Sequence, residues 1–212
     1  MKNYTHSNLR NVALVGHASS GKTMLGECML ACCGNINRLG SVTEGTTVSD
    51  YHKAEQERQF SIHTSLLHAE WLENRFNIID TPGYLDFITE SRAALKVSDM
   101  AVIVAHATHG IEIGTSKVWD YAEEFGLSKV VVINGMDAEN AQHEPILEEL
   151  ANTFGKRFFP INIPVNAAPG STRHSMSSAN PSSPTRPMAV ANMMNPPPPA
   201  TTQTASMNCT RN

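Results

Sequence analysis

Four short apolar runs, at residues 12–15, 76–79, 100–105 and 130–133, recur with helix-spaced stretches between them, and this alternation narrows the possible folds more than any other feature. Runs of four to six apolar residues have the length of strands buried on both faces. The stretches 24–32, 85–95, 118–125 and 146–154 repeat apolar residues every three or four positions, as one face of a helix does. In the last of them Pro145 suits the start of a helix, and Ile146, Leu147, Leu150 and Phe154 share a face. Strand alternating with helix implies right-handed crossovers and a mainly parallel sheet covered on both sides, an α/β three-layer sandwich. Residues 61–71 predict a further edge strand, turning at Glu73 and Asn74 into the run at 76.

With 212 residues and 41% apolar content, the chain has enough material for one such domain. Composition changes near Asn166, and eight of the 12 prolines lie beyond it. The domain is therefore expected over residues 1–165, followed at 166–212 by a Pro/Ser/Thr-rich tail that buries too little apolar surface to order itself. A proline-rich docking segment is the alternative for that tail. All 20 acidic residues precede position 166, where they outnumber 13 Lys and Arg, leaving −7 on the first 165 residues. That acidity argues against a nucleic-acid-coating surface, and no direct DNA binding is expected.

The four cysteines form no CxxC pair, and Cys28, Cys32 and Cys33 crowd one predicted helix, which favours reduced thiols. The first residues resemble no signal peptide, and no run reaches the roughly 18 apolar residues of a membrane span. The expectation is a soluble cytoplasmic protein with no membrane partner. The histidines His17, His63, His68, His106 and His109 are scattered without metal-ligand spacing.

Three motifs carry the chemistry. Gly16-His17-Ala18-Ser19-Ser20-Gly21-Lys22-Thr23 fits the phosphate-loop pattern GxxxxGK[ST] between a strand and a helix. Its glycines turn backbone N–H groups toward phosphate oxygens, Lys22 reaches the terminal phosphates, and the Thr23 hydroxyl is a candidate Mg²⁺ ligand. Asp80-Thr81-Pro82-Gly83 closes the second apolar run, where a carboxylate completes a magnesium shell through water and Gly83 offers an N–H to the γ-phosphate. Asn134-Gly135-Met136-Asp137 closes the fourth run and fits NKxD with glycine in place of lysine. The Asp137 carboxylate accepts two hydrogen bonds from guanine, a pattern adenine does not supply. The fold expected is thus a P-loop NTPase type, and the ligands expected are GTP or GDP with Mg²⁺.

In this order the three motifs, over residues 8 to 165, resemble the GTP-binding domain of elongation factor G and its ribosome-protection relatives. The resemblance implies that Ser61, in Glu57-Arg58-Gln59-Phe60-Ser61-Ile62, takes the place of the first-switch threonine that binds Mg²⁺ with GTP. It also implies a catalytic contribution from Lys22 and from Tyr84, which stands where the family has a histidine that orients the attacking water. Tyrosine has no imidazole nitrogen for that task, so the resemblance implies slow hydrolysis. The SA[KL]-type guanine loop is not found, and the fold is expected to be incomplete at its C-terminal end. The family role implied is translation on the ribosome, with the ribosome as partner. Two alternatives remain: a pseudo-GTPase that holds nucleotide without turnover, and a non-functional truncated fragment.

Overall fold

The structure, a computed structural model, describes residues 4–138, 141, 143–155, 158–164, 174–176 and 188–193. In chain order the elements are β1 (Leu9–Gly16), α1 (Lys22–Cys32), α2 (Lys53–Arg58), β2 (Ser65–Trp71), β3 (Asn74–Asp80), α3 (Ile88–Lys96), β4 (Met100–His106), α4 (Ile113–Glu124), β5 (Ser128–Asn134), α5 (His143–Phe154), β6 (Phe158–Pro160), β7 (Asn162–Pro164), β8 (His174–Met176) and β9 (Met188–Met193). One sheet runs in the order β2-β3-β1-β4-β5-β9-β6, and β7 pairs antiparallel with β8 in a separate ribbon. Every pairing in the large sheet is parallel except β2 with β3. This is the mainly parallel α/β sandwich that the apolar runs predict.

Alternation along β1 divides the core. Val12 and Leu14 point to the layer under α1, where they meet Leu25 and Leu30. Ala13 and Val15 point to the opposite layer, against Leu95 of α3, Val118 of α4 and Leu150 of α5. A strand with apolar residues on both faces is stable only between two layers, which is why α1 lies on one side and α3 to α5 on the other. Ile146 and Leu150 are buried, with Leu147 and Phe154 packed beside them, and the Phe154 ring stacks on Trp119 at a centroid distance of 4.1 Å. Pro145 falls in the first turn of α5, where its missing N–H has no intrahelical acceptor to leave unpaired.

After β1 the chain builds β2 and β3 on one side, then crosses to β4 on the other. Strand order therefore reverses beside β1, and such a reversal opens a crevice at the C-terminal ends of the parallel strands. Gly16, Asp80, His106 and Asn134 all end strands at that edge.

Three sequence expectations are corrected. The edge strand begins at Ser65 rather than 61, because the N–H groups of Ile62 and His63 donate to the buried Glu55 carboxylate instead of a ladder. The hairpin turns on Leu72 and Glu73, both with positive φ, since Trp71 already pairs with Asn74. Composition argues against structure throughout 166–212, yet β8 and β9 lie there and β9 inserts between β5 and β6. The apolar Met188-Ala189-Val190 is lost when composition is averaged over a long Pro/Ser-rich stretch. The rest of that tail, including Pro196 to Pro199, lies outside the described residues.

Candidate functional site

The chain leaves β1 at Gly16 and enters α1 at Lys22, so residues 16–21 wrap a helix N-terminus with its partial positive charge. Gly21 caps the helix at φ +94°, and a Cβ there would collide with the Asn134 amide. Lys22 Nζ donates to the His17 carbonyl at 2.7 Å and closes the loop on itself. Burial lowers the Lys22 pKa to about 8, against the pull of Asp80, Glu112 and Asp50. The His17 ring braces the loop from outside, Nδ1 accepting from Gly114 N–H at 3.3 Å and Nε2 lying 3.4 Å from Glu112. Ser19 is exposed, whereas Ser20 Oγ is buried without a hydrogen-bond partner.

The second motif stands beside the first because β3 pairs with β1, Asp80 opposite Leu14. Asp80 is 1% exposed; its Oδ2 accepts from the Thr23 hydroxyl at 2.9 Å, and its Oδ1 is buried with no hydrogen-bond partner. Burial raises the Asp80 pKa to about 6, opposed by Lys22 and the Thr23 bond. Ser61 Oγ lies 3.2 Å from Thr23 Oγ1 and donates to Asp50 Oδ1 at 2.7 Å. Thr23, Ser61 and Asp80 thus converge as hard oxygen donors, with one carboxylate oxygen still unpartnered, and this donor set suits Mg²⁺. Gly83 crosses the phosphate loop closely: a Cβ there would meet the Ala18 backbone at 2.7 Å and the Lys22 ammonium. The buried Thr81 hydroxyl donates to the Leu14 carbonyl and accepts from Ser91, whose hydroxyl also lies 3.0 Å from the Pro82 carbonyl.

These groups border a cavity of about 270 Å³ lined by Lys22, Thr23, Asp50, Ser61, Gly83 and Tyr84 among others. Tyr84 is 41% exposed, and its ring packs on Phe60 at 4.7 Å between centroids. The third motif approaches from β5. Asn134 Nδ2 donates to the Ser20 carbonyl at 3.0 Å, so this amide ties the third motif to the phosphate loop. The Met136 side chain is 1% exposed in the core, leaving only its backbone for a ligand, while Asp137 is exposed.

Sequence reasoning assigns no role to three buried acids that order residues 34–64. Glu27, fully buried on α1, accepts from Gly40 N–H at 2.9 Å and Val48 N–H at 2.6 Å. Glu55, 1% exposed, accepts from Ile62 and His63 N–H, each at 2.9 Å. Asp50 receives Ser61, and desolvation raises its pKa. The signal was present in Glu27, a charge one turn from Thr23 and three residues before Leu30 on an otherwise buried helix face.

Residues 7–195 match the family described as Elongation factor Tu GTP binding domain. The chain belongs to that family. It is 37% identical over 155 residues to the mitochondrial ribosome-releasing factor 2 of Debaryomyces hansenii, covering 73% of this chain and 18% of the relative. Identity to the elongation factor G-like protein of Mycobacterium tuberculosis is 36% over 156 residues, 74% of this chain and 22% of the relative. For elongation factor G of Dehalococcoides mccartyi it is 32% over 167 residues, 79% and 24%. A crystal structure of a Thermus thermophilus protein superposes with a TM-score of 0.73 at 31% identity, covering 81% of this chain and 28% of that one. The chain thus spans about a fifth of the length of the curated relatives it matches. Over most of its length it is thus similar to the GTP-binding part of elongation factor G-like proteins. Among the described residues no helix is long and apolar enough to cross a membrane.

If Glu27 orders this domain's 34–64 segment, Glu27→Ala should speed amide hydrogen exchange at Gly40 and Val48 by about 10-fold or more while β4 and β5 amides keep their protection. Unchanged exchange at both positions would contradict the role.

Proposed function

We propose that the domain binds GTP and GDP with Mg²⁺ and hydrolyses the β–γ phosphoanhydride slowly. The observation that carries this reading is the convergence of Thr23, Ser61 and the half-satisfied Asp80 carboxylate beside the Lys22 loop. The cavity is slightly smaller than the roughly 300–1,000 Å³ that encloses a whole small-molecule ligand, so it suits the phosphate end. The base would then lie toward Asn134 and Asp137, where the exposed Asp137 carboxylate accepts from guanine.

Loop N–H groups and Lys22 hold the phosphates, while Thr23, Ser61 and Asp80 are the residues that would hold Mg²⁺. The metal, when bound, neutralises charge on the phosphoryl oxygens. Lys22 further offsets charge on the transferring group. Neither Gly83 nor Ala18 leaves room for a side chain between them, which lets Gly83 bring its N–H to the γ-phosphate. Tyr84 borders the same space without an imidazole to orient water, so turnover is slow. By resemblance the setting is translation on the ribosome.

Tyr84 also favours a second reading, a nucleotide-holding module without turnover. Single-turnover hydrolysis of radiolabelled GTP at saturating protein separates the two. The first reading expects a rate above that of buffer, raised by Tyr84→His with GTP affinity nearly unchanged. Hydrolysis at the buffer rate in both proteins would favour the second reading. If Tyr84→Phe abolished a substantial rate, the phenol itself would be catalytic and this account of position 84 would be wrong.

The two shifted groups predict a pH profile. Asp80 must be ionised to hold the metal, and the free domain protonates it as pH falls through about 6. Lys22 must be charged to hold phosphate, and the free domain discharges it as pH rises through about 8. Affinity for GDP with Mg²⁺ should therefore peak near pH 7 and fall on both sides. Unliganded stability should move oppositely on the acid limb: the folded state binds the Asp80 proton more tightly than the unfolded chain, so this group adds stability as pH falls from about 6 toward 4. A flat affinity profile from pH 5 to 9, read by calorimetry, would contradict these assignments.

A further inference from the structure

His106 ends β4 directly opposite Asn134, which ends β5. Its imidazole does not point away from the third motif but lies against Gly135. A Cβ at that glycine would stand 2.5 Å from Nε2 and 2.8 Å from Cε1, distances at which one of the two groups must move. Gly135 has φ +75°, in the left-handed region that glycine adopts at little cost.

The ring is held from its own side as well. Nδ1 lies 2.8 Å from Thr108 Oγ1 and accepts the Thr108 N–H at 3.3 Å, which leaves the proton of the neutral ring on Nε2, facing Gly135. The His109 ring packs on it at 4.9 Å between centroids. Ala107 N–H donates to the Asn134 carbonyl at 2.7 Å, so the exit of β4 and the start of the third motif are hydrogen-bonded to each other. Burial and His109 lower the His106 pKa from its ordinary value, against Asp137 and Glu112, which favours the uncharged ring.

The ring therefore fills the volume that a side chain at position 135 would need, and it does so one residue from Asn134 and two from Asp137. We propose that His106 is a positioning residue for base recognition: its imidazole packs on Gly135, holds that residue in its left-handed conformation within the 134–137 turn, and so sets the direction of the Asp137 carboxylate. The proposal rests on the guanine-binding reading above. It locates part of the base preference in a residue that need not touch the base, and it makes the absence of a side chain at 135 a requirement of this packing.

The test is titration calorimetry of the full chain with GDP, ADP and inorganic pyrophosphate, each with Mg²⁺, alongside melting temperatures. His106→Ala should lower GDP affinity about 10-fold and leave pyrophosphate affinity unchanged, narrowing the preference for GDP over ADP. His106→Phe, which refills the volume, should keep that preference. Gly135→Ala should lower GDP affinity by itself, and the His106→Ala/Gly135→Ala double variant should lose less than the two single losses combined, because the new methyl enters vacated space. An unchanged preference in His106→Ala, a parallel fall in GDP and pyrophosphate affinity, or strictly additive losses would each overturn the proposal. If the unaltered chain binds pyrophosphate but does not distinguish GDP from ADP, the guanine reading itself fails, and this proposal with it.

Discussion

Two opposite charges buried at the head of the sheet, Lys22 on α1 and Asp80 at the end of β3, are the constraint around which the site is organised. Each is costly to bury, as the opposed pKa shifts show: Lys22 falls to about 8 and Asp80 rises to about 6. Their mutual attraction recovers part of the desolvation cost, and hydrogen bonds recover more, from Lys22 to the His17 carbonyl and from Thr23 to Asp80. One oxygen of Asp80 remains without a partner. A fold with a good apolar core tolerates such an arrangement, and the reversal of strand order beside β1 places it at the mouth of a crevice rather than deep in the core.

From this centre two connections run outward. One passes through Ser61 and Asp50 into residues 34–64, whose backbone is held by the buried carboxylates of Glu27 and Glu55. A polar stretch of this length has little apolar surface of its own, so buried acids accepting backbone N–H groups do the ordering that side-chain packing does elsewhere. The other passes through the Asn134 amide to the Ser20 carbonyl, linking the end of β5 to the phosphate loop. The ends of the site are thus tied together by the chain's own hydrogen bonds.

Much of this was legible in the sequence because it depends on local pattern. The alternation of apolar runs with helical stretches was enough for the α/β sandwich, and the motifs at 16–23, 80–83 and 134–137 were enough to put Lys22, Thr23, Asp80 and Asn134 at one edge. What was not legible depends on partners distant in sequence. Glu27 reads as one acid in a helix until the N–H groups of Gly40 and Val48 are found beside it. His106 reads as a scattered histidine until β4 and β5 pair and bring its ring onto Gly135. Met136 and Thr81 belong to motifs by position, yet their side chains are spent on the core and on the Leu14 carbonyl. The strand Met188–Met193 is apolar at five of its six positions, yet a long composition window averages it away among Pro- and Ser-rich neighbours.

The central claim is that the crevice takes a guanine nucleotide with Mg²⁺ at its phosphate end. The most direct measurement is the melting temperature of the chain with GDP and Mg²⁺, compared with ADP and Mg²⁺ and with GDP in a chelator. A ligand at roughly 100 times its dissociation constant stabilises the folded state by about 2.7 kcal/mol, enough to raise the transition by several degrees. The account predicts such a rise with GDP and Mg²⁺, and little or none in the other two conditions. Equal rises with GDP and ADP, or no rise with either in the presence of Mg²⁺, would contradict it.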